Sequence, residues 1–300
     1  MPDDPFSLTP TGGIGVGFHD IPAERYHSDP CERPSLSHSI AVKIVSESPW
    51  HAWSAHPRLG GQRHSDPTDV MIEGTAMHAL LLGKGLERVA VIDAENFKTS
   101  AAQEEKRAAL ARGEAPLVYP KFKRLEAQAE RIAERIRELG YDLSAGRNEV
   151  AMVWESEGVL CRAMVDHWNA AEGLVVDLKK VASANPYDLE RAFVDYGDDV
   201  QDAAYREGTE TLVPELAGRV RVVFLAFEPK SGIVVPVQCG GSMAELGQMR
   251  WHRGTSIWKR CVEANRWPAY YAKSQTEPIR LEAPNYAYTR ETEGRHDVWI

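Results

Sequence analysis

Three apolar runs follow one another within 33 residues: "NEVAMVW" from Asn148, "GVLCRAMVDHW" from Gly158 and "LVVDLKK" from Leu174. Each is rich in Val, Leu, Met or Trp and short enough for a strand. The connections between them, "ESE" and "NAAEG", are too short for the crossover that parallel strands require. The three runs must therefore form an antiparallel meander. Helical patterns precede and follow it, and "RVVFLAFEP" and "GIVVPVQC" read as a further strand pair. This order predicts an α/β (α+β) domain in which helices flank a central mixed sheet.

The flanking pattern carries its own punctuation. "SLSHSIAVKIVSESPWHAWSAHP" reads as a capped helix ending near Pro49, then an aromatic turn holding Trp50 and Trp53. "TDVMIEGTAMHALLLG" reads as a helix capped by Thr68 or Asp69 and stopped at Gly83. Residues 101–139 predict two charged helices broken between Pro116 and Pro120. Leu125, Ala129, Ile132 and Ile136 form the apolar face of the second, which Gly140 ends. Arg131, Arg135 and Arg137 on that helix fit a solvated face, or a path for DNA. "NPYDLERAFVDYG" is a helix with Asn185 as cap and Pro186 at its first position. "DDVQDAAYREGTETL" and "SMAELGQMRWHRGTSIWKRCVEANRW" are further helices, and the tail from Pro268 has no clear period. Residues 1–35 look irregular, leaving 36–300 as one domain. "TGGIGVG" lacks the spacing of a phosphate-binding loop, and "GGQRHSDPTD" reads as a loop.

Composition narrows the class. At 43% hydrophobic and 26% charged residues the chain is an ordinary globular one. No apolar run is long enough to span a bilayer. "MPDDPFSLTP" has neither a basic nor an apolar signal region, so a cytoplasmic location is expected. Cys31, Cys161, Cys239 and Cys261 are scattered without a C-x-x-C pair, which argues against structural zinc and a disulfide framework. The net charge of -9 argues against general nucleic-acid affinity. It leaves room for a local basic patch, and for carboxylates gathered to hold a cation.

Two aspartates interrupt the apolar strands, and they define the candidate chemistry. With residues 170–173 as a hairpin loop, Asp166 falls opposite Asp177, their Cβ atoms roughly 5 Å apart. Two facing carboxylates repel unless a cation lies between them. Lys179 is two residues beyond Asp177 and leaves the strand on the same face. If 155–158 is the preceding loop, Glu149 faces Met164 and joins that face one step along. The same residues also fit an exposed sheet face of mixed charge. Carboxylates for a divalent ion, with a cation alongside, are the parts that phosphodiester hydrolysis needs.

At these residues the chain resembles the PDDEXK nuclease superfamily, and within it the RecE-type exonucleases (exonuclease VIII of prophages), related to the RecB-type nuclease domains. From about Tyr26 to Trp267 the motifs run in family order. "YHSDPCERPSLSHSIAVKIVSESPWHAW" is similar to the lead-in helix and "EGTAMH" to a G-x-x-x-H helix motif. "NEVAMVWESEGVLCRAMVDHW" resembles the glutamate and first aspartate strands, "VVDLKK" the D-x-K, "VQDAAY" a Q-x-x-x-Y helix and "WPAY" a late segment. The chain departs at Met164-Val165, where relatives often have Arg-Pro, and at Lys180, where they often have Thr or Ser. A late cysteine cluster, as in iron–sulfur relatives, is missing.

The resemblance implies a PDDEXK core, restriction-endonuclease-like, in which His78, Asp166, Asp177 and the Leu178 carbonyl hold metal, Mg²⁺ or Mn²⁺, as two ions. Lys179 would orient or deprotonate the attacking water, and Glu149 would sit by the metals or steady His78. Gln201 and Tyr205 would contact phosphate or support Lys179. It further implies a double-strand DNA exonuclease, 5′ to 3′, leaving 3′ overhangs for phage or prophage recombination in a bacterial host. The partners it implies are DNA ends, an annealing protein of the RecT type and further copies of the chain in a ring. Such a ring offers a channel for Arg219, Arg221, Arg250, Arg253, Lys259 and Arg260. Two alternatives remain: a RecB-like nuclease of other polarity or single-strand preference, and a non-catalytic DNA-binding protein that keeps the fold.

Overall fold

The computed structural model describes residues 13–61, 67–270 and 277–292. The first twelve residues, and residues 62–66 of the loop expected before the second long helix, lie outside these. In chain order the elements begin with β1 (Gly17–His19), α1 (Ala23–His27), α2 (His38–Ser46), α3 (Pro49–Ala55) and α4 (Asp69–Leu82). Then come β2 (Val89–Ile92), α5 (Ser100–Ala111), β3 (Ala115–Val118) and α6 (Tyr119–Glu138). The meander is β4 (Arg147–Ser156), β5 (Val159–Asn169) and β6 (Leu174–Lys180). It is followed by α7 (Pro186–Tyr196), α8 (Asp198–Leu212), β7 (Arg221–Phe227), β8 (Val234–Val237) and α9 (Gly241–Ala264). Pro268–Ile300 forms a separate compact unit, whose described part contains α10 (Asn285–Thr292).

The central sheet has six strands in the order β1-β4-β5-β6-β7-β8. Only β6 and β7 run parallel, because the chain between them is long enough to cross back through α7 and α8. The mixed sheet and its meander are thus as the sequence predicts. Alternation decides what each face buries. Leu174, Val176 and Leu178 of β6 join Val223, Leu225 and Phe227 of β7 against residues of α4 and α6. Val175, Val222, Phe224 and Ala226 join the cluster that includes Leu189, Phe193, Tyr205, Trp251 and Trp258. Asp177 and Lys179 alternate with the first set and so lie on the second face. Glu207 of α8 satisfies two buried indoles there, its Oε1 accepting from Trp154 and its Oε2 from Trp251, both at 2.9 Å.

Several local expectations need correction, and each has a physical cause. The aromatic turn after α2 is the helix α3: Ser48 caps it by accepting from the His51 amide, and Pro49 opens it instead of ending the previous helix. Residues 115–118, expected as a break, are β3, which pairs in parallel with β2 in a two-stranded sheet. Such a sheet has only edges, where Pro116 is tolerated. Pro120 then lies in the first turn of α6. The expected irregular lead contains β1, an edge strand on β4, and α1. Among its described residues the tail holds the short helix α10. By contrast α4 is bounded as expected, with Thr68 accepting from the Met71 amide and Gly83 left-handed at φ 64. The cap and first proline of α7 also hold, and the four α6 positions are buried. All four cysteines are free, and no helix among the described residues is long and apolar enough to cross a membrane.

A buried ionic knot fixes the segment before α2. Asp29, 2% exposed with φ 57, accepts from the Ser35 amide at 3.0 Å and the Ser35 hydroxyl at 2.6 Å. His56 Nε2, just past the end of α3, lies 3.2 Å from one carboxylate oxygen, and Arg162 of β5 lies 3.3 Å from the other. Arg162 also donates to the Ser35 carbonyl at 2.6 Å. Burial would raise the Asp29 pKa, but His56, Arg162 and Ser35 together hold it down at about 2. The knot clamps residues 29–35 between α3 and β5, and so sets where α1 and the start of α2 stand.

Candidate active site

The β5–β6 hairpin has the register predicted for it. Asn169 pairs with Leu174, Trp168 with Val175 and His167 with Val176. The loop closes because Asn169 Oδ1 accepts from the amides of Ala171 and Glu172. The next pair in that register is Asp166 with Asp177, and there the ladder stops. Asp166 Oδ2 instead accepts from the Leu178 amide at 2.6 Å. On the other side the predicted register slips by two residues. The turn is Glu157-Gly158, both with positive φ at 49 and 82, a two-residue hairpin turn in place of a four-residue loop. An even slip keeps the faces, so Glu149 falls level with Asp166 instead of Met164.

The pair Glu149 with Asp166 is missing as well, although its neighbours on both sides are formed. Glu149 has φ 49, uncommon for a side-chain-bearing residue in a strand. The carbonyls of Asn148 and Glu149 accept from Lys84 Nζ at 2.8 and 3.4 Å. Both ladders thus lapse at the level shared by Glu149, Asp166 and Asp177, and side chains take over the backbone bonds. The Met164 carbonyl likewise accepts from the Tyr205 hydroxyl at 2.8 Å.

From α8 come the groups that hold Asp177 and Lys179. Gln201 and Tyr205 share one helix face, being four residues apart. Asp177, 5% exposed, accepts from Gln201 Nε2 at 2.7 Å and lies 3.0 Å from the Tyr205 hydroxyl. Lys179 Nζ has three acceptors for its three protons: Gln201 Oε1 at 2.7 Å, Asp177 Oδ2 at 2.9 Å and Asp198 Oδ1 at 3.1 Å. Burial opposes the charge on Lys179, but Asp177 and Asp198 outweigh it and raise its pKa. The facing carboxylates are driven apart. Burial raises Asp177, the Lys179 charge only partly offsets this, and the Asp166 charge adds to it. Asp166 is lowered, because His78, the Leu178 amide and Lys179 outweigh its burial.

Asp166, Asp177, His78, Glu149, Gln201 and Tyr205 all line one cleft of about 360 Å³. Its other walls include Tyr26 and His27 of α1, His38 of α2, Gly74 and Thr75 of α4, and Arg88. His78 Nδ1 is 3.6 Å from Asp166 Oδ2. Burial would lower the His78 pKa, but the Asp166 carboxylate beside it, with Asp177 adding, lifts it to about 9. Glu149 pairs with Arg88 at 2.9 Å. His78, Glu149, Asp166, Asp177, Gln201 and Tyr205 therefore meet at one cleft, and Lys179 joins them through its contacts with Asp177 and Gln201. Leu178 contributes backbone only: its side chain is in the core, and its amide faces Asp166. In a strand the carbonyl of a residue leaves on the same side as its amide, so the Leu178 carbonyl faces the same gap.

Three participants were not singled out in the sequence. Asp198 looks like an ordinary acid at a helix start, yet it lies one turn before Gln201 and its carboxylate reaches Lys179. His38 stands in "SLSHSI" with no pattern of its own. Its ring stacks edge-on with Tyr205, and its Nδ1 is buried without a hydrogen-bond partner among the described residues. Burial, with Lys179 and Arg162 adding, pushes its pKa down to about 3, so it is neutral. Arg88 follows α4 in a single 3₁₀ turn and carries no sequence signal.

No three His, Cys, Asp or Glu side chains among the described residues already form a cage around one point. The donor chemistry nevertheless suits a hard divalent cation. Asp166 and Asp177 supply oxygen, the Leu178 carbonyl adds a third, and the opposed shifts of the two acids mark where positive charge is favoured. His78 is an acceptable further ligand. Gly74 supports the use of the cleft. It sits mid-helix, and a Cβ there would meet nothing within 4 Å, so packing does not require the glycine. Gly74→Ala is expected to raise stability by up to about 1 kcal/mol in thermal unfolding while reducing turnover of a substrate that enters the cleft.

A six-stranded mixed sheet with acids at one level of three adjacent strands, and a lysine two residues past the last, defines a PDDEXK-like protein. The family comparison agrees: residues 37–275 match the model of the PDDEXK-like domain of unknown function DUF3799, and the chain belongs to that family. No curated protein matches the sequence. Among solved structures, a candidate exonuclease from Eubacterium rectale superimposes with a TM-score of 0.56 at 14% identity, over 92% of this chain and 99% of its own. At that identity the likeness shows a shared fold.

Proposed function

We propose that the protein is a Mg²⁺-dependent deoxyribonuclease that degrades one strand of double-stranded DNA from its ends, 5′ to 3′. The observation that carries this is the Lys179 ammonium, held by Asp177, Asp198 and Gln201 beside the facing pair Asp166 and Asp177. Asp166, Asp177, His78 and the Leu178 carbonyl would hold the divalent ion, with Mn²⁺ as a substitute and two ions in all. Bound there, the metal supplies an activated water and neutralises phosphate charge. Lys179 presents an ammonium at the reacting phosphate and steadies the water or the developing charge. Gln201 fixes Lys179 and Asp177 relative to each other, because its amide oxygen takes one and its amide nitrogen the other. Tyr205 braces both Gln201 and Asp177, and Glu149 holds Arg88 at the cleft wall.

The product would be a 3′ single-strand overhang, suited to an annealing protein of the RecT type in phage or prophage recombination inside a bacterial cell. A ring of copies would place DNA in a shared channel. Of the cations expected to line it, Arg250 is committed to Asp199 at 2.8 Å, Arg221 to Glu172, Lys259 to the Glu157 carbonyl and Arg219 to the Glu215 carbonyl. Arg253 and Arg260 are exposed and, among the described residues, are left for that role. Linear duplexes labelled at the 5′ or the 3′ end, incubated with Mg²⁺, test the direction. Early release of the 5′ label as mononucleotide is expected. Early release of the 3′ label instead would favour the RecB-like alternative of opposite polarity.

A further inference from the structure

Lys179 forms part of a second hollow and is absent from the lining of the carboxylate cleft. This hollow, of about 620 Å³, is walled by Lys179, Lys180, Val181, Ala182 and Ser183, which end β6 and begin the next loop. The rest of its lining is Leu189, Ala192, Phe193 and Tyr196 of α7 with the carboxylates Asp188 and Asp198. Asp198 pairs with Lys179 at 3.1 Å, so the hollow opens directly beside the proposed reacting groups. Leu189 and Phe193 are buried, yet Tyr196 is 79% exposed.

We propose that this hollow is the subsite for the nucleoside next to the scissile phosphate, its base lying against the α7 wall and the Tyr196 ring. The proposal rests on the nuclease reading above. Three features favour a neutral nucleoside over an anion. The α7 wall is apolar, and the two ammoniums of the lining are already engaged, Lys179 with Asp177 and Asp198 and Lys180 with Glu73. The two carboxylates of the lining disfavour a further negative charge; Asp198 is tied to Lys179, and Asp188 accepts from the Ser183 hydroxyl at 2.7 Å. A flat base with an uncharged face suits such a wall, and a protruding tyrosine provides a stacking surface that accepts any base. The subsite would therefore grip DNA without selecting a sequence.

The test compares wild type, Tyr196→Ala and Tyr196→Phe on a short end-labelled duplex with Mg²⁺, with a normal or an abasic nucleotide at each of the two positions flanking the cleaved bond. Tyr196→Ala is expected to lower kcat/KM about tenfold, through KM, and Tyr196→Phe to restore it. One of the two abasic substitutions should cost wild type a similar factor and cost Tyr196→Ala nothing more. An active wild type with kcat/KM unchanged in Tyr196→Ala overturns the subsite and leaves the nuclease reading standing. Independent, additive losses from the variant and both abasic substitutions also overturn it. A wild type that cleaves no DNA overturns the nuclease reading and the subsite with it.

Discussion

Asp177→Asn is expected to reduce DNA hydrolysis by at least about a thousandfold, or ~4 kcal/mol of transition-state stabilisation, while changing stability by no more than about 1 kcal/mol. The two effects separate because Asp177 is placed for chemistry at some cost to the fold. A carboxylate whose pKa is raised in the folded state weakens folding above its unfolded pKa, so losing the charge at neutral pH removes a penalty. Against that, the new amide presents N–H to a neighbourhood of donors, Lys179, Gln201 and Tyr205, and loses an acceptor. Single-turnover cleavage in Mg²⁺ and thermal unfolding of the same preparation measure both halves. A large loss of stability would place Asp177 among the structural groups.

The opposite pattern is expected at Asp29. Asp29→Ala should cost about 3–5 kcal/mol, the usual loss when one member of a buried ion cluster is removed, because Arg162 and His56 lose their carboxylate where neither has water to turn to. Asp29→Asn should cost less, since it keeps an acceptor for Ser35 and tolerates the positive φ of 57. Acid makes the same point in the wild type. With its folded pKa depressed to about 2, Asp29 contributes stability that is present above its ordinary pKa of 3.8 and lost as pH falls through 2. Denaturant titrations at neutral pH and across that acid range check both statements. A variant losing less than about 1 kcal/mol, well under the usual loss for a buried ion cluster, would show that the cluster does not hold the segment before α2.

Much of the site was legible in the chain because strand periodicity and loop length are local properties. The length of "NAAEG" fixed the β5–β6 register correctly, and the period of two then placed Lys179 beside Asp177. The β4–β5 loop was misjudged because Glu157 adopts a left-handed conformation that favours glycine or asparagine, so the sequence gives little warning of a two-residue turn there. The lapse in both ladders at Asp166 was not legible either. It depends on Lys84, Tyr205 and the φ of Glu149, which lie far apart in sequence. Asp198, His38 and Arg88 belong to the same category, since only the assembled fold brings α8, α2 and the turn after α4 to one cleft. The strand β3 was hidden by Pro116, which an interior strand would exclude and a two-stranded sheet does not.

The central claim is that the acids beside Lys179 form a hydrolytic centre. Release of acid-soluble nucleotides from a linear duplex, measured for wild type and Lys179→Ala with Mg²⁺ and with excess chelator, tests it most directly. The expected result is steady release by wild type, none with chelator, and at least about a thousandfold slower release by a Lys179→Ala protein that still unfolds cooperatively. Release by Lys179→Ala at the wild-type rate, or no release by wild type with either Mg²⁺ or Mn²⁺, would contradict it.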